Sequence, residues 1–396
     1  MIISSLRTTA FRNLSDTPVA SCAKNIFLVG ENGQGKTNFM EALYWCSYGS
    51  SFRGVRDSEM AKGFVADNGE YPKGDFSAAV SLMNPPDKNS GELQPATDIY
   101  GEVLVKSEKG RKSVFLDGKK AEDRRELLSV IPCIVFCHED MEFVAGSPER
   151  RRWFFDQVLS LYDPVYLDDF RRYRRVLKSR NSVLRDHVQH RLEGSPEPLL
   201  DALDPQCAAY GTRLMEKREE AARLFSGIFT GLYEEVAGIS GITVRYSPSW
   251  KTGGDLPGEN EAAELLQKKR SADMAAGASL SGPHRDRYIF AADGVEFAGN
   301  ASTGQRRLLA LLLRVAQARS FSDATGRNPI LLLDDVLLEM DGEKRRRFLA
   351  ALPGYDQAFY TFLPEEPYQS YCSGAGFEIS DTLVYHVKNG IITAGN

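Results

Sequence analysis

The chain has 396 residues, 42% hydrophobic and 26% charged, with a formal net charge of −5. This is the composition of a soluble globular protein with enough apolar material for two or more lobes, and it excludes collagen-like, disordered and disulfide-stapled chains. The acidic balance also excludes a permanently sticky polycation, so any nucleic-acid contact has to come from a local basic patch.

The longest apolar runs, Leu308 to Leu313 and Ile330 to Leu333, fall far short of the roughly 20 residues that cross a bilayer. Met1 to Ala10 has no apolar stretch behind a basic start, and Thr393 to Asn396 carries no prenylation signal, so a cytoplasmic protein is expected. The six cysteines, at 22, 46, 133, 137, 207 and 372, lack C-x-x-C spacing and read as reduced thiols. Cys133, Cys137 and His138 are near enough in sequence to suggest a metal. The stretch Ile131 to Phe136 reads better as a buried strand, and no second ligand pair follows at zinc-like spacing.

In chain order, Ile2 to Phe11 and Asn25 to Val29 predict strands. Asn84 to Ala96, rich in Pro, Gly and Asn, predicts a surface loop before a hairpin with arms at Tyr100 to Val105 and Lys112 to Leu116. After Gly146 the texture turns helical. Ser147-Pro148, Asp163-Pro164 and Asp204-Pro205 each set a capping residue before a proline, which predicts helices over about 148–161, 164–190 and 205–236. A strand at Ile242 to Tyr246 and a helix over Asn260 to Arg270 follow. The last hundred residues return to α/β: a helix from Thr303 to Ser320, a buried strand at Ile330 to Leu333, a helix from Gly342 to Ala351, a strand near Ala358 to Phe362, and a hairpin turning at Asn389-Gly390. The expected architecture is one α/β domain made from both chain ends, with a mainly helical lobe inserted.

Gly30-Glu31-Asn32-Gly33-Gln34-Gly35-Lys36-Thr37 matches G-x-x-x-x-G-K-[ST] in full, after the strand Ile26 to Val29 and before a helical run from Asn38 to Trp45. Gly30, Asn32, Gly33 and Gly35 let the backbone wrap phosphates while successive N–H groups and the helix start at Asn38 point inward. Lys36 would reach the β- and γ-phosphates of ATP, and the Thr37 hydroxyl would bind Mg²⁺. The acid half of such a site belongs at the end of a buried strand, where Ile330 to Leu333 runs into Asp334-Asp335. Asp334 would bind Mg²⁺ through water and Asp335 would polarise the hydrolytic water, giving Asp335, Lys36 and Asp334 as the catalytic set.

Roughly three hundred residues separate the two halves. The gap fits an ATPase core assembled from both termini, as in the cassette heads of chromosome-maintenance proteins. Ala301-Ser302-Thr303-Gly304-Gln305, before a helix and about thirty residues ahead of the acid pair, resembles the cassette signature L-S-x-G-Q. One chain already has its own phosphate loop, so Ser302, Gly304 and Gln305 imply an anion site for a partner's γ-phosphate. Glu339-Met340-Asp341 stands where a cassette carries the loop that crosses the dimer interface.

Taken together the motifs resemble the RecF family. Phe11-Arg12-Asn13-Leu14 resembles its F-R-N start; Ser51-Phe52-Arg53 follows the phosphate loop; Glu139-Asp140 through Gly146 to Asp156 and Ser281 to Asp286 resemble two signatures, and Leu333 to Asp341 completes the set. His138, Ala301, Arg287 and Asp335 depart from the usual residues of the family or of cassettes. The resemblance implies an SMC-like, ABC-type head without a long coiled coil: 1–137 as the first part of ATPase lobe I, 138–319 as helical lobe II with the signature, and 320–396 as the second part of lobe I. It also implies an ATP-dependent homodimer with weak hydrolysis that binds gapped DNA and junctions of single and double strand, working with RecO and RecR and indirectly with RecA. Arg12 would contact the nucleotide, and Thr361 would stand near a polar switch position.

For DNA, residues 150–191 carry eleven Lys/Arg against five Asp/Glu. Arg171, Arg172, Arg174, Arg175 and Lys178 crowd one helix with Tyr166 and Tyr173 among them, a composition suited to phosphate contacts or to a solvated face. Arg53 and Arg56 are further candidates, whereas Arg150 to Arg152 suit lobe packing or the nucleotide interface. Two other readings remain at this stage: a P-loop small-molecule kinase, and an ATP-gated DNA clamp with an inert nucleotide site.

Overall fold

A computed structural model describes residues 1–63, 74–84, 101–292, 294–338, 340–368 and 381–395. In chain order the elements are β1 (Ile2–Thr9), β2 (Val19–Ala20), β3 (Asn25–Val29), α1 (Lys36–Tyr48), β4 (Phe76–Met83), β5 (Gly101–Glu108), β6 (Arg111–Leu116), β7 (Lys119–Lys120), α2 (Arg124–Val130) and β8 (Cys133–Phe136). Next come α3 (Glu142–Ala145), α4 (Pro148–Tyr162), α5 (Pro164–Val188), α6 (Glu197–Ala237), β9 (Ile242–Ser247), α7 (Glu259–Ala276), β10 (Arg287–Ala292), β11 (Val295–Glu296) and α8 (Phe297–Asn300). The chain closes with α9 (Thr303–Thr325), β12 (Ile330–Leu333), α10 (Gly342–Ala351), β13 (Gln357–Phe362), β14 (Thr382–Lys388) and β15 (Ile391–Ala394).

Two compact units result. Met1–Asp140 with Gln317–Asn396 forms the first, and Met141–Ala316 the second; the sequence puts the corresponding breaks at 137/138 and 319/320. The first unit holds a sheet in the order β15-β14-β3-β13-β12-β8 and an antiparallel sheet in the order β2-β1-β4-β5-β6-β7. In the former, β14, β3, β13, β12 and β8 run parallel. Residues of β3, β8, β12 and β13 are buried along their whole length, as a sheet covered on both faces requires. Thr361 pairs with Leu28 and Leu333 with Tyr360, so the carboxyl ends of β3, β13 and β12 come out at one edge, where open α/β sheets take their ligands.

The second unit is mainly helical around β9, β10 and β11. Val176, Cys207, Ala208, Met215, Trp250, Ala262 and Leu266 form one core cluster. Two buried arginines are each held by two acids: Arg218 by Asp156 and Asp286, Arg180 by Asp204 and Asp273. Asp156 and Asp286 come from the two middle signatures, whose acids therefore compensate a buried charge.

Several expectations shift. β1 stops at Thr9 because Ala10 and Arg12 both have φ of 49°, which turns the chain and drops Phe11 into the core as an isolated bridge to Ala61. α6 begins at Glu197, not at Pro205, which lies inside it. Proline costs a helix interior about 3 kcal/mol, but Asp204 is buried on Arg180 and Arg270 and Cys207 and Ala208 are core residues, so packing carries the helix through. α7 and α9 run about five residues past their expected ends. The loop at 84–96 and Tyr100 lie outside the described residues except for Asn84, as does Glu339. Cys133 is a buried strand residue whose thiol burial pushes up to about 12, and no group of three or more His, Cys, Asp or Glu suited to a metal occurs among the described residues.

Candidate nucleotide site

The loop 30–37 leaves β3 and enters α1 through Gly35, whose φ of 118° only glycine adopts without strain. Lys36 is 4% exposed. Its ammonium donates to the carbonyls of Gly30 at 2.6 Å and Glu31 at 3.1 Å, so the loop is wound around its own lysine. Gly30 N–H donates to the Phe362 carbonyl at the end of β13 (3.1 Å).

Both chain ends brace this loop. Asn13 Nδ2 donates to the Gln34 carbonyl (3.3 Å), while Asn13 Oδ1 accepts from Asn38 Nδ2 (2.8 Å). From the other terminus, Gly390 N–H donates to the same Gln34 carbonyl (2.8 Å) and Asn389 N–H to Gln34 Oε1 (2.7 Å). Asn389 and Gly390 have φ of 50° and 76°, the pair of positive values a tight hairpin turn demands.

Behind the loop, α1 carries Glu41, fully buried in an otherwise apolar run. Arg12 grips it with two bonds of 2.9 and 3.0 Å and spends a third on the Glu59 carbonyl (2.7 Å). Ser51 Oγ also donates to Glu41. Arg53 stands 3.6 Å from the same carboxylate and donates to Asn38 Oδ1 at 3.1 Å. Arg12 and Arg53 are thus tied to Glu41 and the residues flanking the loop, while Arg56 is exposed.

At the end of β12, Asp334 accepts from Thr37 Oγ1 at 3.0 Å across 297 residues of sequence. Asp334 is buried, and desolvation with the neighbouring charge of Asp335 pushes its carboxyl up to about 7, against the lowering effect of Thr37. Asp335 adopts φ of 52°, a conformation that non-glycine residues keep where surroundings enforce it. Thr361, at the end of β13, does so: its Oγ1 accepts from Asp335 N–H (2.7 Å) and lies 2.8 Å from Asp335 Oδ1 and 3.3 Å from Asp334 Oδ1. A hydroxyl, a buried carboxylate and a second acid make a set of hard oxygen donors, which fits Mg²⁺.

A family model described as the RecF/RecN/SMC N terminal domain matches residues 2–364. A DNA replication and repair protein RecF of Treponema pallidum (strain Nichols) is 41% identical over 381 residues, covering 96% of this chain and 97% of the relative. The chain belongs to the RecF family. Members of this family are DNA replication and repair proteins. A solved structure of the recombination mediator protein RecF-ATPrS in the RecFOR pathway aligns with a TM-score of 0.80 at 25% identity, over 100% of this chain and 98% of that one. The head domain of Smc from Pyrococcus furiosus, with an extended coiled coil, shares the fold at a TM-score of 0.51 and 16% identity, covering 99% of this chain and 95% of that one. The architecture is an SMC-type, ABC-class ATPase head.

The cassette-like signature, Arg151 and Arg152, and the basic helix α5 sit in the second unit. Ser302 N–H donates to Gln305 Oε1 (2.8 Å) and Gln305 N–H to Ser302 Oγ (3.3 Å), a reciprocal cap that leaves Ser302 and Gly304 exposed at the start of α9. Arg151 and Arg152 turn inward onto the carbonyls of Val144 and Asp286, which is packing. On α5, Arg172, Arg174, Arg175 and Lys178 are exposed and Arg171 half-buried beside Asp168. Tyr166 and Tyr173 are buried instead of standing among these cations: their hydroxyls bond Asp156 and His284. Neither ring is available to stack on a base. Asn13 and Asn389, read from sequence only as part of the F-R-N start and of a hairpin turn, brace the loop, whereas Glu41, which anchors Arg12, was not singled out from sequence. A lone acid in the apolar run Phe39 to Leu43 was the available sign of Glu41.

Proposed function

We propose that the chain is an ATP-dependent, DNA-binding recombination mediator. ATP closes a homodimer on DNA at gaps or junctions of single and double strand, and slow hydrolysis reopens it. The observation that carries this reading is the bond between Thr37 and Asp334, which joins the phosphate loop and the acid strand at one sheet edge. Lys36, released from its own carbonyls, would hold the triphosphate, the loop N–H groups would cradle it, and Asp335 would orient the attacking water. Thr37 and Asp334 would hold Mg²⁺, which when bound neutralises phosphate charge; the raised Asp334 carboxyl is the counterpart of a cation that belongs beside it.

Exposed Ser302 and Gly304, with Gln305, would meet the nucleotide of a second copy, since the chain's own loop already supplies one phosphate cradle. Arg172, Arg174, Arg175 and Lys178 would contact DNA phosphates with little sequence preference. RecR and RecO are the expected partners, with RecA loaded as the downstream event, in the cytoplasm. The test is molecular mass in solution. A non-hydrolysable ATP analogue should double the mass seen with ADP; an unchanged mass overturns the shared-nucleotide reading.

A further inference from the structure

Glu366 lies in the turn that follows β13. Its N–H donates to the Leu363 carbonyl (3.1 Å) and its Oε1 accepts from Leu363 N–H (2.6 Å). The other carboxylate oxygen, Oε2, is buried and has no hydrogen-bond donor; among the described residues it is the one acidic oxygen in that condition. Leaving such an oxygen unpaired costs on the order of 1–3 kcal/mol, and an acid that needed only to cap its own turn would let Oε2 reach water.

The turn's position explains what could meet that oxygen. Just upstream, Phe362 accepts from Gly30 of the phosphate loop, and Thr361 is bonded to Asp335. The Glu366 carboxyl is raised chiefly by burial and also by the charge of Asp335, while Leu363 N–H, Arg345 and Lys36 lower it. Its electrostatic neighbours are therefore Arg345 together with the acid and the lysine of the nucleotide site.

We infer that Glu366 is a second acceptor carboxylate of the ATPase site, its unpartnered Oε2 receiving a hydrogen bond from the water that attacks the γ-phosphate. The inference rests on the nucleotide reading of loop 30–37. In the step itself, the water oxygen bonds to the γ-phosphorus as the bond from phosphorus to the β,γ-bridging oxygen breaks, and the electron pair leaves with ADP. One water proton passes to the carboxylate pair of Glu366 and Asp335 and is returned to the inorganic phosphate. Asp335 is shorter than the glutamate usual in cassettes, and a longer acid approaching from the neighbouring strand end makes up the reach.

The experiment compares single-turnover hydrolysis at saturating Mg·ATP with affinity for a fluorescent ATP analogue, in the full chain. Glu366→Gln keeps the acceptor toward Leu363 N–H and removes the base. It should slow hydrolysis at least about tenfold with analogue affinity and thermal midpoint unchanged, and Glu366→Asp should recover part of the rate. Combined with Asp335→Asn it should add little, because both act on one water. Hydrolysis within twofold of wild type in Glu366→Gln, or tighter analogue binding without a slower step, overturns the inference and leaves the nucleotide reading intact. A wild-type chain that binds no ATP, or a Lys36→Ala variant that binds it equally well, sinks the nucleotide reading itself.

Discussion

Gly390 is packed so tightly on Asn13 that a Cβ at position 390 would lie 1.8 Å from the Asn13 carbonyl oxygen. The two residues belong to opposite chain ends, and both bond Gln34 in the phosphate loop. The nucleotide cradle is therefore shaped by the closure of the chain upon itself as much as by its own glycines.

Gly390→Ala should accordingly loosen the loop. The added methyl meets backbone, which cannot swing aside, and φ of 76° is strained for alanine. We expect ATP affinity to fall about tenfold or more, matching strain of roughly 1–3 kcal/mol, while far-ultraviolet circular dichroism stays native. Isothermal titration with ATP checks it; unchanged affinity would show that the hairpin turn does not set the loop.

Glu41 has the opposite character, a charge that the fold has to keep satisfied. Removing it leaves Arg12, only 18% exposed at its side chain, without its two-bonded partner. Truncating one member of a buried pair costs about 3–5 kcal/mol, so Glu41→Ala should lower the urea midpoint of the first unit substantially. Arg12→Ala, which strands Glu41 beside Ser51 and Arg53, should cost less, because those two remain. Equal midpoints for both variants and wild type would contradict the account.

Much of this was legible beforehand. The bounds of β3, β12 and α10 followed from apolar runs ended by loops, and the phosphate loop, the acid pair and the Asn389-Gly390 turn all announced themselves by residue type and spacing. Tertiary bonds were harder to read. Pro205 reads locally as a helix start, and only the burial of Asp204 on two arginines shows why the helix passes through it. Tyr173 reads as an aromatic among cations until His284 is seen taking its hydroxyl. Gln34 is an unremarkable x in the loop motif, and its ties to position 389 lie 355 residues away.

Ser302→Arg tests the exposed cap at the start of α9. Arginine at position 302 cannot receive the Gln305 N–H as serine does, and it fills the surface that would meet a second copy's nucleotide. The variant should bind ATP analogue with wild-type affinity and remain monomeric by light scattering. A dimeric Ser302→Arg protein in ATP analogue would exclude a role in trans.

His284 ties the Ser281 to Asp286 signature to acid sensitivity. Its ring is held on both sides: Nδ1 is 2.8 Å from the Tyr173 hydroxyl and Nε2 is 3.0 Å from the Ser279 carbonyl. A carbonyl only accepts, so Nε2 carries the proton and Nδ1 accepts from tyrosine, which is the neutral ring. Burial, the largest cause, lowers its pKa to about 4, with Arg285 and Arg152 lowering it further against the Ser279 carbonyl. The unfolded chain titrates near 6.5, so it binds this proton first as pH falls. The stabilising contribution is complete above about 6.5 and is lost progressively toward about 4, to a total of roughly 3 kcal/mol. Urea unfolding at pH 7.0, 6.0 and 5.0 should show the wild-type advantage over His284→Gln shrinking in that window. A difference that holds constant across the three pH values would mean that folding does not lower the pKa of this histidine.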